Sequence, residues 1–341
     1  MKFPKFLQEG DTIGFVAPSF GCATEPYCTA FQNSIKKIKE KGFTAKLGPN
    51  CYADCGIGIS NTPEKCGQEL MDFYRDPDVQ GLISCGGGEL MCEVLNYIDF
   101  SELAGLPPKW YMGYSDNTNL TFLMTTLSDT ASIYGPCAAA FGMEPWHPAI
   151  QDAFDLLQGK KCEMKNYPLW EIESKKDEEH PLEPYNTTEE FSMRTYPENK
   201  DVSFSGRLVG GCLDCLSNLT GTRFDRVHEF SKRYEKEGII WFLECCDLNV
   251  MDMRRSLWNL REAGWFRHSK GFLIGRPAHY HEPMMGLDQY EAVTGILKEF
   301  EVPIIMDLDI GHLPPMMPLV CGSYATVSSM GNEFSIKMEM K

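Results

Sequence analysis

Ser115 stands in the run Met112-Gly113-Tyr114-Ser115-Asp116-Asn117-Thr118, between the apolar stretch Trp110–Met112 and a segment where Leu120, Leu123, Met124 and Leu127 recur at helical spacing. A strand that turns sharply into a helix projects the turn residue outward and aims free backbone N–H groups at whatever lies beside it. That is one way to expose a nucleophile. A serine hydroxyl attacks poorly, however, until a base takes its proton and donors stabilise the oxyanion. Gly113-Tyr114-Ser115-Asp116 matches half of a nucleophile elbow, because Asn117 stands where G-x-S-x-G has its second glycine. A serine that merely caps the following helix fits the same residues.

The partners such a serine needs have candidates. Gly86-Gly87-Gly88 lacks the G-x-G-x-x-G of a dinucleotide site, yet can expose backbone N–H groups between a strand and a helix, or simply make a tight turn. With the N–H of Asp116, Gly87 or Gly88 would complete a two-donor oxyanion hole. Among seven histidines, His312 follows an apolar strand and precedes Pro314-Pro315, which stiffen the chain and make its ring easier to orient. Glu244 follows the apolar run Ile239–Leu243, either as a solvated strand end or as a carboxylate that orients an imidazole. His279 and His281 could ligate a metal with Glu282, or be polar residues of a surface loop. Cys212-Leu213-Asp214-Cys215 is a CxxC without a second pair at zinc-finger spacing, so a metal or redox role stands against two semi-buried thiols on a helix.

The elements that must hold these residues alternate in the first half of the chain. Strand-like Asp11–Pro18, helix-like Tyr27–Gly42, strand-like Val79–Ser84, helix-like Glu89–Ile98, then strand-like Lys109–Tyr114 and a further helix imply a mostly parallel, doubly wound sheet. Sites in such sheets lie at the carboxyl ends of the strands, where Gly86–Gly88 and Ser115 both fall. From 161 to 205 the pattern dissolves into a linker or surface loop; its charged part, 171–190, holds Tyr185 and either covers the site or is a solvated spacer. Residues 206–341 read as a smaller α+β domain with a mixed sheet, after an N-terminal α/β domain over 1–160.

Two domains also suit a chain of 341 residues. A hydrophobic share of 43% and a charged share of 23% are those of a globular protein. The net charge of −16 would repel both a phosphate backbone and an anionic bilayer, so neither nucleic acid nor membrane is expected as a partner. No signal-peptide core and no run of 18 apolar residues occurs, and fourteen dispersed cysteines read as reduced thiols. A cytoplasmic location is expected.

Taken together, Gly10–Ser19, Ser84–Gly88 followed by Tyr97-Ile98-Asp99, Gly113–Thr118, Leu208–Thr222, Phe242-Leu243-Glu244 and Asp309–Pro315 resemble the LD-carboxypeptidase family of serine peptidases. That family includes muramoyl-tetrapeptide carboxypeptidases and microcin self-immunity peptidases. The resemblance implies a catalytic triad of Ser115, Glu244 and His312 in an interdomain groove, no metal or organic cofactor, a small peptide or peptidyl-nucleotide substrate, and a homodimer. Two departures stand out: many muropeptide-cleaving members carry arginine before the paired glycines, where this chain has Ser84-Cys85, and Cys212 replaces a common asparagine. The short motifs lean toward the microcin-immunity branch. A metal-dependent hydrolase built on His279, His281 and Glu282, and a catalytically silent binding protein of the same fold, are the alternatives.

Overall fold

Strands that are buried along their whole length belong to sheets covered on both faces. In the computed structural model, which describes residues 1–198 and 201–341, Gly81–Ser84 and Trp110–Gly113 are such strands. With Thr12–Val16 (β1), Thr44–Leu47 (β2) and Ser132–Tyr134 (β5), these two (β3 and β4) form parallel neighbours in the order β5-β4-β3-β1-β2. Leu319–Cys321 (β14), from the far end of the chain, adds an antiparallel edge by pairing Leu319 with Tyr134. The sequence expected a helix over Glu89–Ile98; the structure has a single α-turn at Met91–Val94 and a 3-10 turn at Leu95–Tyr97.

The second sheet is mixed and runs β6-β16-β15-β10-β11-β12-β13-β9. Its parallel centre is Val202–Cys212 (β10), Ile239–Glu244 (β11), Ser269–Gly275 (β12) and Ile304–Leu308 (β13). Tyr324–Met330 (β15) and Glu333–Glu339 (β16) continue it antiparallel on one side. Its two edges, Glu163–Lys165 (β6) and Arg194–Tyr196 (β9), come from the charged stretch after residue 160, which also forms the ribbon of Leu169–Trp170 (β7) and Glu189–Glu190 (β8).

The helix Thr118–Thr126 lies between the sheets with all nine residues buried. Its threonines tolerate burial because Thr121, Thr125 and Thr126 each return a hydroxyl to the carbonyl four residues back, at 3.3, 3.1 and 3.0 Å. Thr118 Oγ1 instead accepts the Cys212 N–H at the end of β10, at 2.9 Å. One apolar cluster unites Phe15, Ile83 and Met112 with Phe242 and Leu273, and another unites Leu82 and Phe122 with Trp241 and Phe272. Both cores therefore run through both sheets, and the carboxyl ends of β3 and β4 face those of β11 and β13. No helix among the described residues is long and apolar enough to cross a membrane.

Candidate active site

β4 ends at Gly113, and Ser115 follows with φ at 62°, a left-handed backbone that costs a residue with a side chain free energy and persists only when its surroundings impose it. Asn117 imposes it. Its Nδ2 donates to Gly86 O at 2.8 Å and Tyr114 O at 3.0 Å, while its Oδ1 accepts the Tyr111 hydroxyl at 2.5 Å. The residue that departs from the glycine pattern thus ties the serine turn to the glycine turn after β3. The two turns touch: a Cβ on Gly87 would lie 3.2 Å from Ser115 Oγ. The N–H groups of Gly87, Gly88 and Asp116 have no hydrogen-bond acceptor among the described residues. The Asp116 carboxylate is engaged on its other side by Ser19 Oγ at 2.5 Å, the Met91 N–H at 2.8 Å and Asn119 Nδ2 at 2.9 Å.

Glu244 ends β11 wholly buried, so it is no solvated strand end. Its Oε2 accepts the Nδ1–H of His312 at 2.8 Å, and its Oε1 accepts the Tyr134 hydroxyl at 2.5 Å. Gly311, with φ at 106°, lets the chain pass where a Cβ would sit 2.5 Å from Glu244 Oε2. The loop that carries His312 is anchored by Asp309, whose carboxylate pairs with buried Arg276 and accepts the Tyr167 N–H at 2.8 Å. The imidazole packs on Tyr114, the residue before Ser115, with ring centroids 5.1 Å apart. Nε2, the nitrogen opposite Glu244, has no hydrogen-bond partner among the described residues.

Charge follows from these contacts. Burial alone would push the Glu244 carboxyl up, but the neighbouring His312 charge and the hydrogen bonds from His312 and Tyr134 hold it below the usual range. Burial would likewise lower His312, and the Glu244 carboxylate, with Cys246 beside the ring as a further contribution, overrides it, leaving the imidazole well above its ordinary value. Burial raises the Asp116 carboxyl against its hydrogen-bond donors. The pair of Glu244 and His312 can therefore hold a proton on the imidazole and a negative charge behind it.

Asp214, between the two cysteines of the CxxC, accepts the N–H groups of Cys246 and Asp247 at 3.1 and 2.9 Å and so fixes the turn after Glu244. The sequence drew attention to the flanking thiols; the structural work falls to the carboxylate between them. Cys212 immediately precedes the short helix Leu213–Leu219, with its thiol 3.2 Å from Asp214 Oδ2, and Cys215 is buried within it. His279 Nδ1 lies 2.9 Å from Glu282 on an exposed loop, and the His281 ring packs on Tyr280. Among the described residues no group of three or more His, Cys, Asp or Glu side chains is placed to hold a metal. The segment 171–186 is closed at its base by Glu171, whose carboxylate takes the Asn186 N–H and whose own N–H donates to Pro314 O at 2.6 Å, two residues past His312. Tyr185 lies within it against His147. Tyr134 and the Ser19 hydroxyl have no signal of their own in the sequence, and Asn117 shows there only as a departure from the glycine pattern; a lone tyrosine at the end of a three-residue strand carries no local sign of its partners.

A family model described as the LD-carboxypeptidase N-terminal domain matches residues 13–135, and one described as the LD-carboxypeptidase C-terminal domain matches residues 205–327. A Vibrio cholerae protein provisionally named a carboxypeptidase is 26% identical over 99% of this chain and 98% of its own. The microcin C7 self-immunity protein of Escherichia coli is 24% identical over 97% of this chain and 94% of its own. A structure under that name, in complex with aspartyl sulfamoyl adenosine, superposes with a TM-score of 0.81 at 22% identity, covering 100% of this chain and 99% of that one. A similar protein from Bacillus anthracis reaches a TM-score of 0.83 at 23% identity, with both chains fully covered. At these identities the solved structures establish a shared fold.

Proposed function

Because the chain belongs to the LD-carboxypeptidase family, we propose that it is a serine carboxypeptidase in which Ser115 is the nucleophile, His312 the base and Glu244 the residue that orients the base. The observation that carries this reading is the buried Glu244–His312 hydrogen bond, with Nε2 unpartnered, beside a serine held in a left-handed turn. His312 Nε2 takes the Ser115 hydroxyl proton as Oγ attacks an amide carbonyl, and Glu244 stabilises the imidazolium that forms. The N–H groups of Asp116 and of Gly87 or Gly88 receive the oxyanion. The imidazolium protonates the departing amine, leaving an acyl-serine ester. Water, deprotonated by His312, then hydrolyses that ester and restores the serine.

The substrate is a small molecule with an amide next to a free acid or an acidic group. Two chemistries fit one triad: the bond from an L-residue to D-alanine in a cell-wall peptide, and the aminoacyl or peptidyl amide of a nucleotide conjugate. The likeness to a protein whose structure holds aspartyl sulfamoyl adenosine supports the second. All fourteen cysteines are unpaired, which suits the reducing cytoplasm this reading assigns.

Incubating the pure protein with a muropeptide tetrapeptide and with an aspartyl-adenylate amide, and reading the products by mass spectrometry, tests the substrate. Ser115→Ala should lower turnover of whichever is cleaved by several orders of magnitude, about 10³-fold or more, with the melting temperature retained. Turnover by Ser115→Ala at the wild-type rate would remove the serine mechanism. A metal-dependent hydrolase would instead lose activity to a chelator, and a silent binding protein would leave a fluorophosphonate unreacted.

A further inference from the structure

Tyr134 is a side chain that touches both halves of the site. Tyr134 ends β5 in the first sheet and is fully buried. Its hydroxyl accepts the Ser115 N–H at 3.2 Å and donates to Glu244 Oε1, in the second sheet, at 2.5 Å. Phe242 and Tyr114 pack its ring, with centroids at 5.3 and 6.4 Å, so the phenol has little freedom to leave this geometry.

We infer that Tyr134 is a positioning residue: its phenol holds the left-handed Ser115 backbone and one oxygen of Glu244, and so keeps the serine turn of one sheet in register with the Glu244–His312 pair of the other. The inference rests on the reading of Ser115 and His312 as nucleophile and base. Each contact has its own consequence. The carboxylate spends Oε2 on His312, and with Oε1 unheld it could rotate about its final bond; Tyr134 removes that freedom. The Ser115 N–H, were it unpaired in this part-buried turn, would favour a relaxed backbone, and the phenol supplies its acceptor. The same bond withholds the Ser115 N–H from the oxyanion, leaving that task to Asp116 and the glycine turn.

The phenol also shares the negative charge of Glu244, which weakens the carboxylate's hold on the imidazole proton. Burial pushes the Tyr134 hydroxyl well above its ordinary value, so it stays a donor. Removing it concentrates the charge on the His312 side, and with Cys246 and Glu89, titratable groups that also face the imidazole, left in place, His312 then releases its proton at higher pH.

Rates of Ser115 modification by a fluorophosphonate, measured against pH for the wild type and Tyr134→Phe, test this without knowledge of the substrate. The wild-type rate should rise with pH to a plateau. In Tyr134→Phe the midpoint should move up by about half a unit or more, and the plateau should fall about tenfold as the serine turn loosens. A profile within about twofold of wild type at every pH would overturn the role of Tyr134 alone, whereas no modification of Ser115 in the wild type overturns the nucleophile reading and this inference with it. If Tyr134→Phe does not fold, Tyr134→Phe/Glu244→Gln carries the test, because no unpaired buried charge is left. Its plateau should lie about tenfold below that of Glu244→Gln alone, and equal plateaus would overturn the inference.

Discussion

At the scale of single residues the site turns on where one proton sits. His312 is held above its ordinary pKa by Glu244, so the base is protonated over more of the neutral range than a free imidazole. Accordingly kcat/KM should rise with pH through a midpoint above about 6.5. Glu244→Gln removes the carboxylate's pull. The midpoint should fall, and kcat should drop about a hundredfold or more because the amide neither enforces the tautomer nor stabilises the imidazolium. Asp247→Asn is the control: Asp247 is exposed and its backbone, not its side chain, makes the contact to Asp214. Stability follows the same charges with a definite sign. His312, raised on folding, contributes stability below its unfolded value of about 6.5 and loses it as pH rises through the folded pKa. Glu244, lowered on folding, contributes above its unfolded value of about 4.3 and loses it as pH falls. The melting-temperature gap between wild type and Glu244→Gln should thus be widest between about pH 4.3 and 6.5 and should narrow on the alkaline side. A gap independent of pH would mean that the two groups are not an ion pair.

At the scale of elements, the loop from β13 to His312 must pass close over Glu244, and Gly311 is where it does so. Gly311→Ala puts a methyl within 2.8 Å of the Glu244 Cβ and 2.5 Å of Oε2, in a left-handed conformation. The backbone alone should cost about 1–2 kcal/mol. The larger effect is displacement of His312, and kcat should fall about tenfold or more by loss of alignment. Gly105→Ala, at a helix end with nothing within 4 Å, should leave both stability and turnover nearly unchanged. Comparable losses in the two variants would show that the close approach at Gly311 is not what aligns the imidazole.

At the scale of the whole molecule, the two sheets share what holds them. Each apolar cluster takes residues from both, and the edge strand Leu319–Cys321 returns from the end of the chain to the sheet that bears Ser115. Opening one sheet would expose core of the other, so calorimetry should show one cooperative transition with calorimetric and van't Hoff enthalpies in agreement. Two resolved transitions would show that the sheets fold independently. A fragment of residues 1–160 should fail to fold, since it lacks the β14 edge and the apolar faces of β10 and β11.

Legibility from sequence follows range. The strand-to-turn junctions at Gly86–Gly88 and Ser115 are readable because a buried parallel strand is an apolar run, a helix has its own period, and glycines punctuate the change between them. The same local rules place Glu244 and His312 at strand ends. They are silent on pairings made across the chain: Leu319-Val320-Cys321 is too short to declare a partner, and Glu163–Lys165 and Arg194–Tyr196 sit in a charged stretch that reads as a loop. The carboxylate of Asp214, the clamp by Asn117 and the double contact of Tyr134 belong to this second kind. Residues 68 apart in sequence meet as Glu244 and His312, and residues 110 apart as Tyr134 and Glu244. Periodicity is set by neighbours along the chain, whereas a hydrogen bond between sheets exists only once their packing has fixed which strand ends face each other.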